Sequence, residues 1–204
     1  MSESIGKLTS FFSRFPGIGP RQAKRFVYFL LAQENEFTEE LGHLISEMKA
    51  GSTQCALCFR YFEKNRAAKK ICELCGGATR KKGTLLLLEK DIDLETVEKS
   101  GVYRGMYFIL GGLVPILEKN PGEKIREKEL LARITSDPDI KEIICALSAH
   151  VEGDHTADYL AKILKPLRQK RPLTFSILGR GFSTGTELEY SDTATLQNAF
   201  KNRS

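Results

Sequence analysis

Apolar residues recur at helical spacing through the first fifty positions, then give way to short unbroken apolar runs. Ile5, Leu8, Phe11, Phe12 and Phe15 predict a short helix over 5–15. Pro16-Gly17-Ile18-Gly19-Pro20 breaks it. From Pro20, a favourable first-turn residue, a second helix is predicted to about Ala32. One face of it carries Ala23, Phe26, Val27, Leu30 and Leu31, and the other Arg21, Lys24, Arg25 and Tyr28. A third amphipathic helix is predicted over 38–49. After Gly83 come four apolar runs: Leu85 to Leu88, Tyr107 to Leu110, Ile143 to Leu147 and Thr174 to Leu178. Such runs suit parallel strands buried on both faces. Helical stretches near 94–99, 123–135 and 154–169 separate them, and a last helix falls at about 192–201. Strand and helix alternate, which predicts a doubly wound α/β region over about 80–180.

The 204 residues suffice for one large or two small domains, and no apolar run approaches a membrane span. The net charge of +5 is unevenly placed. Residues 1–82 carry 14 Lys+Arg against 8 Asp+Glu, a net of +6, and residues 83–204 carry 17 against 18, a net of −1. A basic amino-terminal part joined to a near-neutral domain points to nucleic acid, with a merely solvated face as the plainer alternative.

The basic part also holds Cys55-x2-Cys58 and Cys72-x2-Cys75, separated by 13 residues. Each turn can present two thiolates to one ion, and two turns complete a tetrahedral zinc site. Disulfides or redox pairs are the alternatives. The amino terminus shows no basic stretch followed by a long apolar run, which predicts no signal peptide and favours zinc. Four protein ligands leave no open position, so the expected role is structural, with one zinc per chain. Arg60, Lys64, Arg66, Lys69 and Lys70 lie between the pairs and Arg80, Lys81 and Lys82 just after, so DNA contact is a secondary role. Cys145, in an apolar run, reads as a small buried hydrophobe.

Two further constellations carry chemistry. In the hairpin, Gly17 and Gly19 let backbone N–H groups approach a phosphate, and the following helix start adds partial positive charge. Arg21, Lys24 and Arg25 reach neighbouring phosphates, which predicts sequence-tolerant DNA binding; an ordinary interhelical turn is the alternative. Glu89 ends the first strand, and Glu152 and Asp154 flank Gly153 after the third. Ligand sites in open α/β sheets lie at strand carboxyl ends, so these acids either converge on Mg2+ or are simple loop and helix-start acids. His43, His150 and His155 are too scattered for a second metal site, and there is no Walker A motif, dinucleotide fingerprint or nucleophile elbow.

The order of these pieces resembles the RecR family of bacterial recombination mediators. The carrying residues are Phe15 to Arg25, the four cysteines, Leu88-Glu89 with Asp91 and Val97-Glu98, and Val151-Glu152-Gly153-Asp154 with Thr156 to Leu160. Gly179-Arg180-Gly181 and Thr186 to Tyr190 follow. The chain departs from the family pattern in its long basic insert between the cysteine pairs, in Ser183 to Thr186, and in Lys119 to Lys124.

The resemblance implies an α+β multi-module protein. Its parts are a helix–hairpin–helix DNA-binding region (1–53), a four-cysteine zinc finger (54–79), a Toprim domain with a parallel sheet (80–180) and a carboxyl-terminal segment and helix (181–204). It places Glu89, Glu152 and Asp154 at the Toprim acidic positions, with a role in partner binding and no catalytic residue; Mg2+ there is not expected to be catalytic. The expected function is a cytoplasmic, nucleoid-associated mediator of DNA repair that binds single- and double-stranded DNA. It would act with RecO-like and RecF-like proteins to load RecA, as a tetrameric ring. A small Mg2+-dependent Toprim nuclease or primase-like enzyme is the alternative, and a zinc-bearing DNA adaptor without a ring is a third.

Overall fold

The computed structural model describes residues 3–64, 70–179, 181, 185 and 187–201. Two compact units divide at residue 52. The first is helical: α1 (Glu3–Phe12), α2 (Pro20–Leu31) and α3 (Asn35–Gly51). The helix predicted over 5–15 stops at Phe12, and tight turns with Arg14 N–H on Phe11 O and Phe15 N–H on Phe12 O lead into the hairpin. Ala23 and Val27 of α2 are buried, Phe12 and Phe15 meet edge to face, and Phe12 meets Phe26 likewise. No residue of α3 is buried, so its amphipathic stripe leaves Leu44 and Ile45 exposed.

The second unit opens with a two-stranded sheet, β1 (Ser52–Gln54) and β2 (Tyr61–Glu63), and the single helical turn α4 (Glu73–Gly76). The apolar pattern gives no sign of this pair, because its strands are three residues long. Then follow β3 (Lys81–Leu88), α5 (Asp91–Ser100), β4 (Gly105–Ile109), α6 (Glu127–Ser136), β5 (Glu142–Cys145), α7 (Val151–Lys170), β6 (Thr174–Ile177) and α8 (Thr193–Lys201). Where a helix was expected from 123, a 3-10 turn at Pro121–Glu123 intervenes and α6 begins later.

The four longer strands form a parallel sheet in the order β4-β3-β5-β6. Chain order reverses beside β3, so the crevice at the carboxyl ends of β3 and β5 is the sheet's switch point. Successive strand residues face opposite sides, and both sides are covered. Leu85 and Leu87 pack with Phe108, Ile143, Leu130 of α6 and Leu160 of α7. Leu86 and Leu88 pack with Tyr107, Ile109, Leu94 of α5 and three of the paired cysteines. All four leucines are buried, each stabilising the sheet by roughly 2 kcal/mol. Cys145, as expected, is a buried member of this core.

Candidate metal centre and nucleic-acid interface

The sulfurs of Cys55, Cys58, Cys72 and Cys75 all lie within 4.8 Å of one another, the single such donor group among the described residues. Local backbone makes the turn. Phe59 N–H donates to Cys55 O at 3.0 Å and Cys55 N–H to Arg60 O at 2.9 Å. Phe59 takes a left-handed φ of 62°, which folds the chain back behind Cys58. In the second pair, Gly76 N–H donates to Cys72 O at 2.9 Å. Ala56 N–H on Lys70 O, at 2.7 Å, ties the two turns together. The N–H groups of Leu57 and Cys72 point at the Cys55 sulfur at 3.5 and 3.4 Å, the bonds that favour a thiolate.

None of the five cysteines is in a disulfide. Cys58 and Cys72 sulfurs stand 3.6 Å apart, too far for a bond near 2.05 Å. Ligands at about 2.3 Å from a tetrahedral zinc are separated by about 3.8 Å, so the spacing fits that ion. Titration agrees. The Cys58, Cys72 and Cys75 thiols, in that order, pull Cys55 strongly down. At Cys72 an upward push from Cys55 is outweighed by Cys58 and Cys75, leaving about 7. Cys58 and Cys75 are pushed up, first by Cys55. Four thiols this close cannot all ionise alone, and a soft dication would let them do so.

The cysteine module is fastened to the sheet. Ile109 N–H donates to Cys58 O at 2.9 Å, and Tyr61 N–H to Asp91 Oδ1 at 2.7 Å. Phe59 packs edge-on to Phe108 at 5.3 Å, and the Arg126 guanidinium lies 5.3 Å from the Phe59 ring. At its exit, Arg80 donates to both Glu98 carboxylate oxygens at 3.1 and 2.6 Å and to Gly105 O at 2.9 Å. It also lies 5.1 Å from the Tyr107 ring, whose hydroxyl donates to Glu98. Arg80 holds the Glu98 carboxyl below the ordinary range, and burial pushes the Tyr107 hydroxyl up.

In the hairpin, Gly17 has a φ of +76°, which only glycine adopts without strain. Open space surrounds the positions a Cβ would take at Gly17 and Gly19. Gly19 is the N-cap of α2, with Pro20 at the first turn and no side chain capping it. Arg21, Lys24 and Arg25 are exposed, and at spacings of three and four they share one face. Among the described residues none of the three is in an ion pair; Arg25 reaches Gln22 at 3.4 Å.

The carboxylates are arranged differently. Glu89 follows β3 at the switch point, accepts from Ser148 Oγ at 3.3 Å and lies 3.7 Å from Lys90 Nζ. Glu152 and Asp154 are exposed in the first turn of α7, which His150 caps by accepting from Gly153 N–H at 3.4 Å. A Cβ on Gly153 would sit 1.9 Å from Ser148 O. The glycine lets the helix start press on the preceding loop, and its neighbours point away to solvent. Glu89, Glu152 and Asp154 share the carboxyl edge of the sheet but do not close into a metal-sized group, as the cysteines do. His155 is half-buried, with Nδ1 3.1 Å from Val114 O.

Comparison with known proteins gives this geometry its context. The Toprim domain family profile matches residues 83–178, and the RecR carboxyl-terminal profile matches residues 183–204. The Recombination protein RecR of Herpetosiphon aurantiacus is 35% identical over 98% of this chain and 94% of its own length. Those of Bdellovibrio bacteriovorus (35%, over 98% and 96%) and Chloroherpeton thalassium (36%, over 100% and 97%) are similar to the same degree. This chain belongs to the RecR family.

As a RecR-family chain it carries one cluster that residue-by-residue reasoning passed over. Arg80, Glu98 and Tyr107 lie 18 and 9 positions apart around Glu98, and no local pattern announces them. The available signal was indirect: a tyrosine inside an apolar strand needs a buried partner for its hydroxyl. The segment Ser183 to Thr186 falls mostly outside the described residues, as do Arg66 and Lys69 of the basic insert and Arg180. Among the described residues no helix is long and apolar enough to cross a membrane.

Proposed function

We propose that this protein is a DNA-binding recombination mediator of DNA repair that performs no bond-breaking chemistry. The observation that carries the reading is the hairpin: a left-handed Gly17, a helix start with no side-chain cap, and three exposed cations on one face that are in no ion pair among the described residues. Backbone N–H groups and point charges grip phosphates and read no bases, so binding is sequence-tolerant on single and double strands. Zinc, held by Cys55, Cys58, Cys72 and Cys75, fixes the module that packs on the sheet; thiolate ligation supplies folding energy and no open coordination site.

In this reading the protein works in the cytoplasm, at the nucleoid. Glu89, Glu152 and Asp154 form an acidic edge for a basic partner of the RecO or RecF type, in service of loading RecA on single-stranded DNA. Self-association into a ring of four is supported by the helical unit. There an apolar groove of about 800 Å³, lined by Ile5, Leu8, Phe12, Val27, Leu30 and Ile45, lies open. Phe11, Phe15 and Leu31 are more than half exposed beside it.

The test is a salt titration of oligonucleotide binding by Arg21→Ala/Arg25→Ala. Each lost phosphate contact flattens the log–log salt slope by about 0.9 on a duplex and about 0.7 on a single strand, alike for all sequences. A double variant that binds as the parent does overturns the hairpin as the DNA site. Metal-dependent cleavage lost in Glu89→Gln would move the reading to a Toprim nuclease.

A further inference from the structure

The four strands of the large sheet are parallel, so their amino-terminal ends share one edge, opposite the acidic one. Basic residues stand along it. Arg80, Lys81 and Lys82 enter β3, Arg104 precedes β4, Lys141 precedes β5, and Lys170 and Arg171 come before β6. The backbone makes these neighbours. Lys81 N–H donates to Arg104 O at 2.9 Å, Lys141 N–H to Gly83 O at 2.8 Å, and Thr174 N–H to Lys141 O at 2.8 Å.

Two of these cations are structural. Arg80 is taken by Glu98 and Gly105 O, and Arg171 donates to Ile134 O at 2.9 Å and Asp137 O at 3.2 Å, the end of α6. Lys170, in the last turn of α7, complements the helix dipole. Neither account covers Lys81, Lys82, Arg104 and Lys141. They lie outside helices, all are exposed, and among the described residues none is in an ion pair. The acids nearby include Glu98, held by Arg80, Asp137, held by Arg133 at 3.1 Å, exposed Asp139 and half-buried Glu142. Neighbouring strands are about 4.8 Å apart, so the four cations span roughly 10 Å across β4, β3 and β5.

We propose that this amino-terminal edge of the sheet is a second nucleic-acid contact, taking the phosphodiester backbone of DNA through Lys81, Lys82, Arg104 and Lys141. A row of unpaired cations costs self-repulsion that a polyanion removes, with release of its counterions. Acidic-peptide sites are built on arginine clusters, whereas three of these four are lysines, point charges suited to following a backbone. The inference rests on the DNA-binding reading above but concerns a different surface, and its test separates the two.

The experiment measures anisotropy of labelled oligo(dT) and of a labelled duplex, in a salt series, with four proteins. These are the parent, Arg21→Ala/Arg25→Ala, an edge variant (Lys81→Gln/Lys82→Gln/Arg104→Gln/Lys141→Gln) and a charge-matched control (Lys119→Gln/Lys128→Gln/Lys162→Gln/Lys165→Gln). Zinc content and Tm are checked in each; if the edge variant melts early, Lys81→Gln/Lys82→Gln alone is used. The expected result is a roughly tenfold weaker edge variant, with a single-strand salt slope flatter by about 2 to 3 units, and a control within threefold of the parent. Loss on only one probe assigns the edge to single or to double strands. Loss in the edge variant with none in the hairpin variant keeps this proposal and removes the hairpin reading. An edge variant equal to the parent or to the control overturns the proposal. So does one that keeps DNA but loses a polyglutamate peptide bound by the parent, which assigns the edge to an acidic protein.

Discussion

Cys55, Cys58, Cys72 and Cys75 bring four sulfurs within 4.8 Å of one another, while Glu89, Glu152 and Asp154 line the carboxyl edge of the sheet without closing on a common point. The difference lies in what positions each set. The cysteines sit in pairs on turns that their own backbone hydrogen bonds close, so two local geometries need only one tie, Ala56 N–H to Lys70 O. Glu89 stands at the end of a strand, 63 residues before Glu152, while Glu152 and Asp154 sit in the first turn of a helix. Their distances depend on loops. Here the loop after β5 is spent on seating α7, with Gly153 against Ser148 O. A motif that is local in sequence can be a finished site; one spread across a sheet is only a shared address.

The strongest way to break this comparison is to remove the metal. If the cysteine set is a closed zinc site, binding free energy is folding free energy. Cys72→Ser should abolish the single zinc and cost about 5 kcal/mol, a Tm drop of roughly 15 °C. Its effect should spread to the sheet, because the cysteines share a core with Leu86, Leu88 and Tyr107. Zinc analysis and a thermal melt decide it: a metal-free parent, or an unshifted melt, sinks the site.

Within the acid-Gly-acid segment the glycine should matter more than the acids. Gly153→Ala puts a methyl 1.9 Å from a backbone oxygen that cannot rotate away. We expect about 3 kcal/mol of destabilisation, roughly 10 °C in Tm. A melt within 2 °C of the parent would mean that α7 can shift freely, and that the seating of its first turn explains nothing.

The legibility of the fold follows the same division. Unbroken apolar runs at Leu85 to Leu88 and Tyr107 to Leu110 marked strands buried on both faces, and β3 and β4 are such strands. Pro-Gly-Ile-Gly-Pro marked the break before α2, which starts at Pro20. Both signals are local. α7 starts at Val151, three residues before the helix predicted from 154, because its cap is a histidine, a residue outside the usual capping set. The β1–β2 pair is too short for any period, and the Arg80–Glu98–Tyr107 cluster is assembled by tertiary packing alone.

That cluster supplies a carboxylate that does close on its partners, which sharpens the contrast with Glu89. Arg80 and Tyr107 both bond Glu98, and its carboxyl lies below the ordinary range, chiefly because of Arg80. A lowered folded-state value means that the ionised form stabilises the fold. The contribution is fully present above the unfolded carboxylate value and is lost as pH falls through the folded one. Glu98→Gln should therefore cost about 2 kcal/mol at pH 7, with the gap to the parent narrowing below about pH 4. Denaturant melts of both proteins at pH 7 and at acid pH measure it; a gap that persists unchanged into acid would show that charge is not the cause.

The smallest expected effect belongs to the acids that do not converge. Glu152 and Asp154 are exposed in the first turn of α7, where each carboxylate gains a few tenths of a kcal/mol from the helix dipole. Among the described residues Glu89 accepts from Ser148 Oγ at 3.3 Å and lies 3.7 Å from Lys90 Nζ. Glu89→Gln/Glu152→Gln/Asp154→Asn should shift Tm by no more than about 3 °C, and millimolar Mg2+ should leave the melts of parent and variant alike. If the protein grips DNA as proposed, its affinity should be unchanged or slightly higher, since three charges that repel a polyanion are gone. If Mg2+ raises the parent's Tm and not the variant's, the carboxylates close around an ion when one is offered. The acidic edge would then be a metal site assembled by its ligand, and the contrast with the cysteines would be one of preorganisation alone.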